Sequence, residues 1–182
     1  MNIPASANAA LLVIDVQCGW YLSTPGPHDA AGTLRRINEL IRKAHAATLP
    51  VIFIQHAEPP DYTAGSPAWQ LHPELDRKAG DLVVGKAVCD AFCDTALQEE
   101  LHRCGVETLV LAGCATEFCV DTTLRSAASH GFHVVAATDA HTTKDRPVLT
   151  AVQIIAHHNW VWSEMSTPHP LRLARTADLS FG

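Results

Sequence analysis

The chain has 182 residues, 47% of them hydrophobic and 18% charged, with a formal net charge of −6. That length suits a single domain over residues 1–182 with a sizeable core. The acidic balance, with no run of Lys and Arg, argues against a nucleic-acid partner. No apolar run approaches the roughly 20 residues of a bilayer span, and the opening MNIPASANAA has no basic stretch before an apolar one. A cytoplasmic protein with no membrane partner is therefore expected. Its six cysteines are expected to be reduced. Cys89 and Cys93, or Cys114 and Cys119, do not make a CxxC pair, so neither a metal site nor a cofactor is expected.

Ala9 to Val16 is a continuous aliphatic run that fits a buried parallel strand. It carries Asp15, a carboxylate that is costly in such surroundings unless it lies at the strand's C-terminal end, where a partner can meet it. Gln17 to His28 reads as loop. Leu34, Ile37, Leu40, Ile41 and Ala44 have the three-and-four spacing of an amphipathic helix over Asp29 to Ala47, with Arg35, Arg36, Glu39 and Arg42 outward. Pro50 opens a second strand ending at Gln55 and His56. The proline-rich segment from Ala57 to Gly80 contains Tyr62, Trp69 and His72, and is expected to serve as a lid or a subunit contact.

Asp81 to Gly85 reads as a third strand followed at once by Lys86. Asp94 is the expected N-cap of a helix whose apolar face is Leu97, Leu101 and Cys104, stopped by Gly105. The stretch ETLVLAGCATEFCVDTTLRSAAS, Glu107 to Ser129, runs from a buried strand through a short turn into a helix beginning near Thr116 or Glu117 and closed by Gly131. A fifth strand, His133 to Thr138, ends in Asp139. Arg146 to His158 is read as the last helix, with Val148, Val152, Ile155 and Ala156 inward, before an apolar WVW at 160–162 and an aperiodic tail. Strands alternating with helices imply a Rossmann-like three-layer α-β-α fold on a mainly parallel six-stranded sheet. In such sheets the loops after the strands' C-terminal ends line one crevice, which gathers Asp15, Lys86 and the GCATEFC turn.

Those residues can perform acyl transfer. A helix start and Lys86 should favour the Cys119 thiolate, Asp15 can take and return a proton, and the backbone N–H groups of Ala115 and Cys119 can hold an oxyanion. Cys18, Cys89, Cys93, Cys104 and Cys114 are read as ordinary packing residues. Gln17, His56, Trp69, Phe92 and Thr116 are the candidates for the wall of a small-molecule pocket.

The runs ALLVIDVQ, VVGK and GCATEFCVDTTLRSAASHGFHVVAATDA, in that order, resemble the isochorismatase-like cysteine hydrolase family over nearly the whole chain. The most specific element is G-x-x-T-x-x-C-V, matched by Gly113, Thr116, Cys119 and Val120. The resemblance implies a catalytic triad of Asp15, Lys86 and Cys119 and a non-proline cis peptide between Cys114 and Ala115. Together with the apolar strip at Trp160 to Trp162, it also implies a homo-oligomer. The segment IQHAEPPD lacks the Asp-x-His pattern of the family's metal-dependent nicotinamidases, and the true isochorismatases lack the cysteine. Hydrolysis of an amide or ureide C–N bond through a thioester is the expected chemistry. Isochorismatase-type vinyl ether hydrolysis and a noncatalytic binding or assembly module are the alternatives.

Overall fold

The computed structural model describes residues 1–3 and 8–182. Residues 4–7, part of the opening stretch read above as carrying no leader, lie outside it. The elements are β1 (Asn2–Ile3), β2 (Ala9–Ile14), α1 (Cys18–Tyr21), α2 (Ala30–Ala46), β3 (Val51–His56), β4 (Leu82–Lys86) and α3 (Leu97–Arg103). They continue with β5 (Thr108–Cys114), a π-helical turn (Thr116–Val120), α4 (Asp121–Ser129), β6 (His133–Thr142), α5 (Ala151–Glu164), β7 (Arg172–Ala174), a 3₁₀ turn (Thr176–Asp178) and β8 (Ser180–Phe181).

The two-residue period of the strands sorts their side chains into two cores. Leu11, Val13, Val51, Phe53, Val110, Ala112, Val135 and Ala137 pack with Leu34, Ile37, Leu40, Ile41 and Ala44 of α2. Their neighbours Leu12, Ile14, Ile52, Ile54, Leu109, Leu111, Val134 and Ala136 pack on the other face with Leu97, Leu101, Leu124, Ala127 and Trp162. The strands are therefore apolar on both faces, as a fully covered parallel sheet requires. All six strands of the main sheet run parallel in the order β4-β3-β2-β5-β6-β7. The chain winds outward from β2 through β3 to β4, then crosses back to place β5 on the other side of β2. The topological switch point, where open α/β sheets bind ligands, lies between the ends of β2 and β5.

Two backbone features shape that point. Asp15 ends β2 in the left-handed conformation (φ 51°), which turns the chain off the sheet with its carboxylate at the rim. Gly113 sits in β5 at φ 129°, and a Cβ there would lie 2.1 Å from the Ile14 carbonyl oxygen. Glycine alone lets β5 approach the end of β2 so closely.

The structure departs from the sequence reading at several elements. The short α1 lies within the segment read as loop. Lys86 is the last residue of β4 and not the residue after it. Asp94 is left-handed (φ 53°) and does not cap α3; Thr95 Oγ1 instead accepts the Leu97 amide at 3.2 Å. Cys104 is exposed, as is Cys93, so neither packs in a core. β6 continues four residues beyond Thr138, past an irregularity in its pairing with β5.

The last helix starts at Ala151, because Thr150 and Gln153 form a reciprocal capping box that satisfies the first free amides there. This shifts the buried face from Val148, Val152, Ile155 and Ala156 to Ala151, Ile154 and Trp162, leaving Val148 86% exposed. It also makes the WVW strip helical. Trp162 is fully buried with Nε1 donating to Asp121 Oδ1 at 2.8 Å, whereas Trp160 faces outward. The sixth strand comes from the tail, as β7.

Candidate active site

The ends of β2, β4 and β5 bring three side chains together. Lys86 Nζ, on a side chain with no solvent exposure, lies 2.7 Å from Asp15 Oδ2. The same ammonium donates to the Val88 carbonyl at 3.0 Å, to His56 Nδ1 at 3.1 Å and to Cys119 Sγ at 3.2 Å. Four acceptors therefore share its three protons, and the contact with Asp15, a buried ion pair, is the shortest of them.

Burial is the largest influence on Asp15 and raises its proton affinity above that of an ordinary carboxyl, with Lys86 pulling it back. Burial also works against the Lys86 charge, but Asp15 and Cys119 together hold the ammonium firmly protonated. The Cys119 thiol is pushed up by burial and then by the Asp15 charge, with Lys86 acting in the opposite sense. Burial and the neighbouring carboxylate thus oppose the thiolate that the helix start and Lys86 favour. The first turn after Ala115 is a π turn.

Cys119 and Ala115 line a cavity of about 490 Å³ together with Asp15, Gln17, Trp20, His56, Tyr62, Phe118 and Arg146. The Cys114–Ala115 peptide at its floor is cis. Of the five pocket candidates, Gln17 and His56 line the cavity. Gln17 is nevertheless consumed structurally: its amide donates to the carbonyls of His56 and Trp69 at 2.9 and 2.7 Å and accepts the His56 amide at 2.9 Å.

The other three candidates face elsewhere. Trp69 contributes its backbone carbonyl to Gln17 and Gln55 and does not line the cavity. Phe92 packs in the core and stacks on the exposed His130 at 4.9 Å. Thr116 is fully buried and bonds His141 Nδ1 at 2.9 Å. The long segment 57–80 supplies cavity wall through Glu58 and Tyr62. It is tied to the chain after Asp15 by backbone bonds from Cys18 to Gln70 and from His72 to Val16, both 2.8 Å. Burial raises the Tyr62 phenol to about 12, so it stays a neutral donor.

Trp20 and Arg146 were not among the candidates. Arg146 Nε donates to Glu117 Oε1 at 2.6 Å, and its guanidinium lies 5.0 Å from the Phe118 ring centre and 5.5 Å from that of Trp20. The T-x-x-Q capping box at Thr150 was the available signal, because it starts the helix only after Arg146 and leaves that residue in a loop at the strand ends.

His141, also not singled out, braces the nucleophile turn. It accepts from Thr116 at Nδ1, and its Nε2–H donates to Asn159 Oδ1 at 3.1 Å. Burial lowers it from 6.5 to about 4, so it is neutral in the folded protein at pH 7. Its contribution to stability is present above 6.5 and is lost as the pH falls through about 4, where the unfolded chain binds a proton first. The full loss amounts to about 3 kcal/mol. Urea unfolding at pH 7 and pH 4 should show a drop smaller by about that amount in His141→Gln than in wild type. Equal drops would remove His141 from the acid sensitivity.

Comparison with known proteins follows the same pattern. The isochorismatase domain profile matches residues 9–159. The secreted isochorismatase effector of Verticillium dahliae is 31% identical over 162 residues, 85% of each chain. A ureidoacrylate amidohydrolase of Methylobacterium radiotolerans is 33% identical over 70% of this chain, which spans 62% of that longer protein. The crystal structure of an isochorismatase family protein, 36% identical, superposes with a TM-score of 0.85 over 92% of this chain and 98% of its own. A match that runs from the start of β2 into α5, on the same parallel sheet, shows that the chain belongs to the isochorismatase family of hydrolases.

Proposed function

We propose that the protein hydrolyses a C–N bond, of amide or ureide type, in a small molecule through a thioester on Cys119. The observation that carries this reading is the contact of one buried ammonium with both a thiol and a carboxylate, 3.2 and 2.7 Å away, at the floor of a cavity. Asp15 takes the thiol proton as sulfur bonds to the carbonyl carbon, and the Ala115 and Cys119 amides receive the oxyanion. The tetrahedral species collapses as Asp15 delivers that proton to the leaving nitrogen and the C–N bond breaks. Water then attacks the thioester with Asp15 as base, the C–S bond breaks, and the proton returns to sulfur. A carboxylate made more basic by burial and kept charged by Lys86 suits both directions of transfer. The amidohydrolase among the relatives supports this bond type for a similar chain.

A homo-oligomer formed through the outer side of α5 belongs to the same proposal, supported by exposed Val152 and Trp160. The test of function is ammonia release across small amides, ureides and hydroxamates, with isochorismate assayed beside them. At least one C–N compound should be hydrolysed and isochorismate left intact. Turnover of isochorismate with no ammonia from any other compound would move the reaction to vinyl ether cleavage.

A further inference from the structure

Lys86 is held from a side that the triad does not include. Besides Asp15, Val88 and Cys119, the ammonium also meets His56 Nδ1, at 3.1 Å. An ammonium has no acceptor, so the imidazole nitrogen facing it must carry a lone pair. The other ring nitrogen, Nε2, lies 3.1 Å from Glu58 Oε2, an acceptor suited to an N–H. His56 is thus fixed as the neutral Nε2–H tautomer, clamped between an ammonium inside and an exposed carboxylate outside. Its backbone is pinned independently by Gln17. The Tyr62 ring packs edge-on at 6.4 Å, and the Asp15 carboxylate, which lines the same cavity, completes the charged groups around it.

We infer that His56, backed by Glu58, is a positioning residue that acts through Lys86: by accepting one of the ammonium's protons it fixes where the ammonium stands between Asp15 and Cys119. Without that anchor the ammonium would settle further onto the carboxylate, lower its proton affinity and weaken it as the acceptor of the thiol proton. The inference rests on the reading of Asp15, Lys86 and Cys119 given above. Its test therefore has an arm that needs no substrate.

Side-chain ¹H–¹⁵N spectra of the resting protein at pH 7.5, with His56 assigned by its loss in His56→Asn, should show the neutral Nε2–H tautomer. Asparagine retains an acceptor where Nδ1 stood and does not titrate. His56→Ala should lower kcat about 10- to 100-fold, the effect of losing one hydrogen bond to a charged group, with KM within about threefold of wild type. His56→Asn should recover most of kcat. An Nδ1–H tautomer, or a His56→Ala enzyme with wild-type kcat, would overturn the inference while leaving the thioester reading intact. Full activity in Cys119→Ala would sink the thioester reading and the role of His56 in catalysis together, whereas the tautomer would still report the clamp itself.

Discussion

Replacing Cys119 with alanine should abolish hydrolysis of the best C–N substrate, lowering kcat by at least about 10⁴-fold. The size follows from what the thiol does. It is both the atom that bonds to carbon and the proton donor to Asp15, so no other group in the cavity replaces it. Cys114, the thiol nearest in sequence, is buried and spends its proton on the Asp15 carbonyl at 3.0 Å. Cys89 also lines the cavity, but it makes no contact with Lys86. Folding should be unaffected within about 1 kcal/mol, since a partly exposed thiol makes way for a methyl group. Residual activity within tenfold of wild type would place the chemistry on Asp15 alone.

The second large effect is expected from Lys86→Met, and it has two parts that separate with pH. Methionine fills the space but leaves Asp15 as a buried carboxylate without a counter-charge, a change that costs about 3 to 5 kcal/mol. Asp15 already binds its proton more tightly than an ordinary carboxyl, and without Lys86 it binds it tighter still. The stability deficit is therefore small below the ordinary carboxyl value of 3.8. It grows as the pH rises through the raised folded-state value, where the folded protein must give up the proton. An Asp15 that holds its own proton cannot accept the thiol proton, and an ionised one has lost the ammonium beside the sulfur, so kcat should fall by about 10³-fold. Asp15→Asn combined with Lys86→Met removes the unpaired charge, and should restore stability without restoring turnover. A single variant with wild-type stability at pH 8 would contradict the ion pair at the centre of this site.

Much of this arrangement was legible from the order of residues because it depends on topology. Apolar strands alternating with amphipathic helices specify a parallel sheet, and a parallel sheet puts Asp15, Lys86 and the turn after β5 on one rim regardless of loop detail. Residues whose orientation is decided by loops were not legible. Trp69, Phe92 and Thr116 are near the site in sequence, yet Trp69 offers its carbonyl, Phe92 turns into the core and Thr116 turns to His141. Trp20 and Arg146 face the cavity because of a short helix and a late helix start that hydrophobic periodicity does not encode. The register of α5 was misread for the same reason: Val148 and Val152 continue an apolar pattern, but the capping box at Thr150 decides where the helix begins.

The thiol's protonation state exposes a different limit. A helix start and a nearby lysine both favour a thiolate, and both are visible in the sequence. Burial and the spacing of Asp15 from the sulfur are properties of the folded site, and they are the larger influences. In the proposed mechanism, proton transfer from the thiol to Asp15 therefore accompanies attack.

The thioester itself is the most direct observable. Wild-type protein mixed with its best C–N substrate and acid-quenched within one turnover should carry a mass increment equal to the acyl group. Peptide mapping should place that increment on Cys119, and none should form in Cys119→Ala. Rapid turnover with no adduct at any quench time, or an adduct on another residue, would contradict a nucleophilic Cys119.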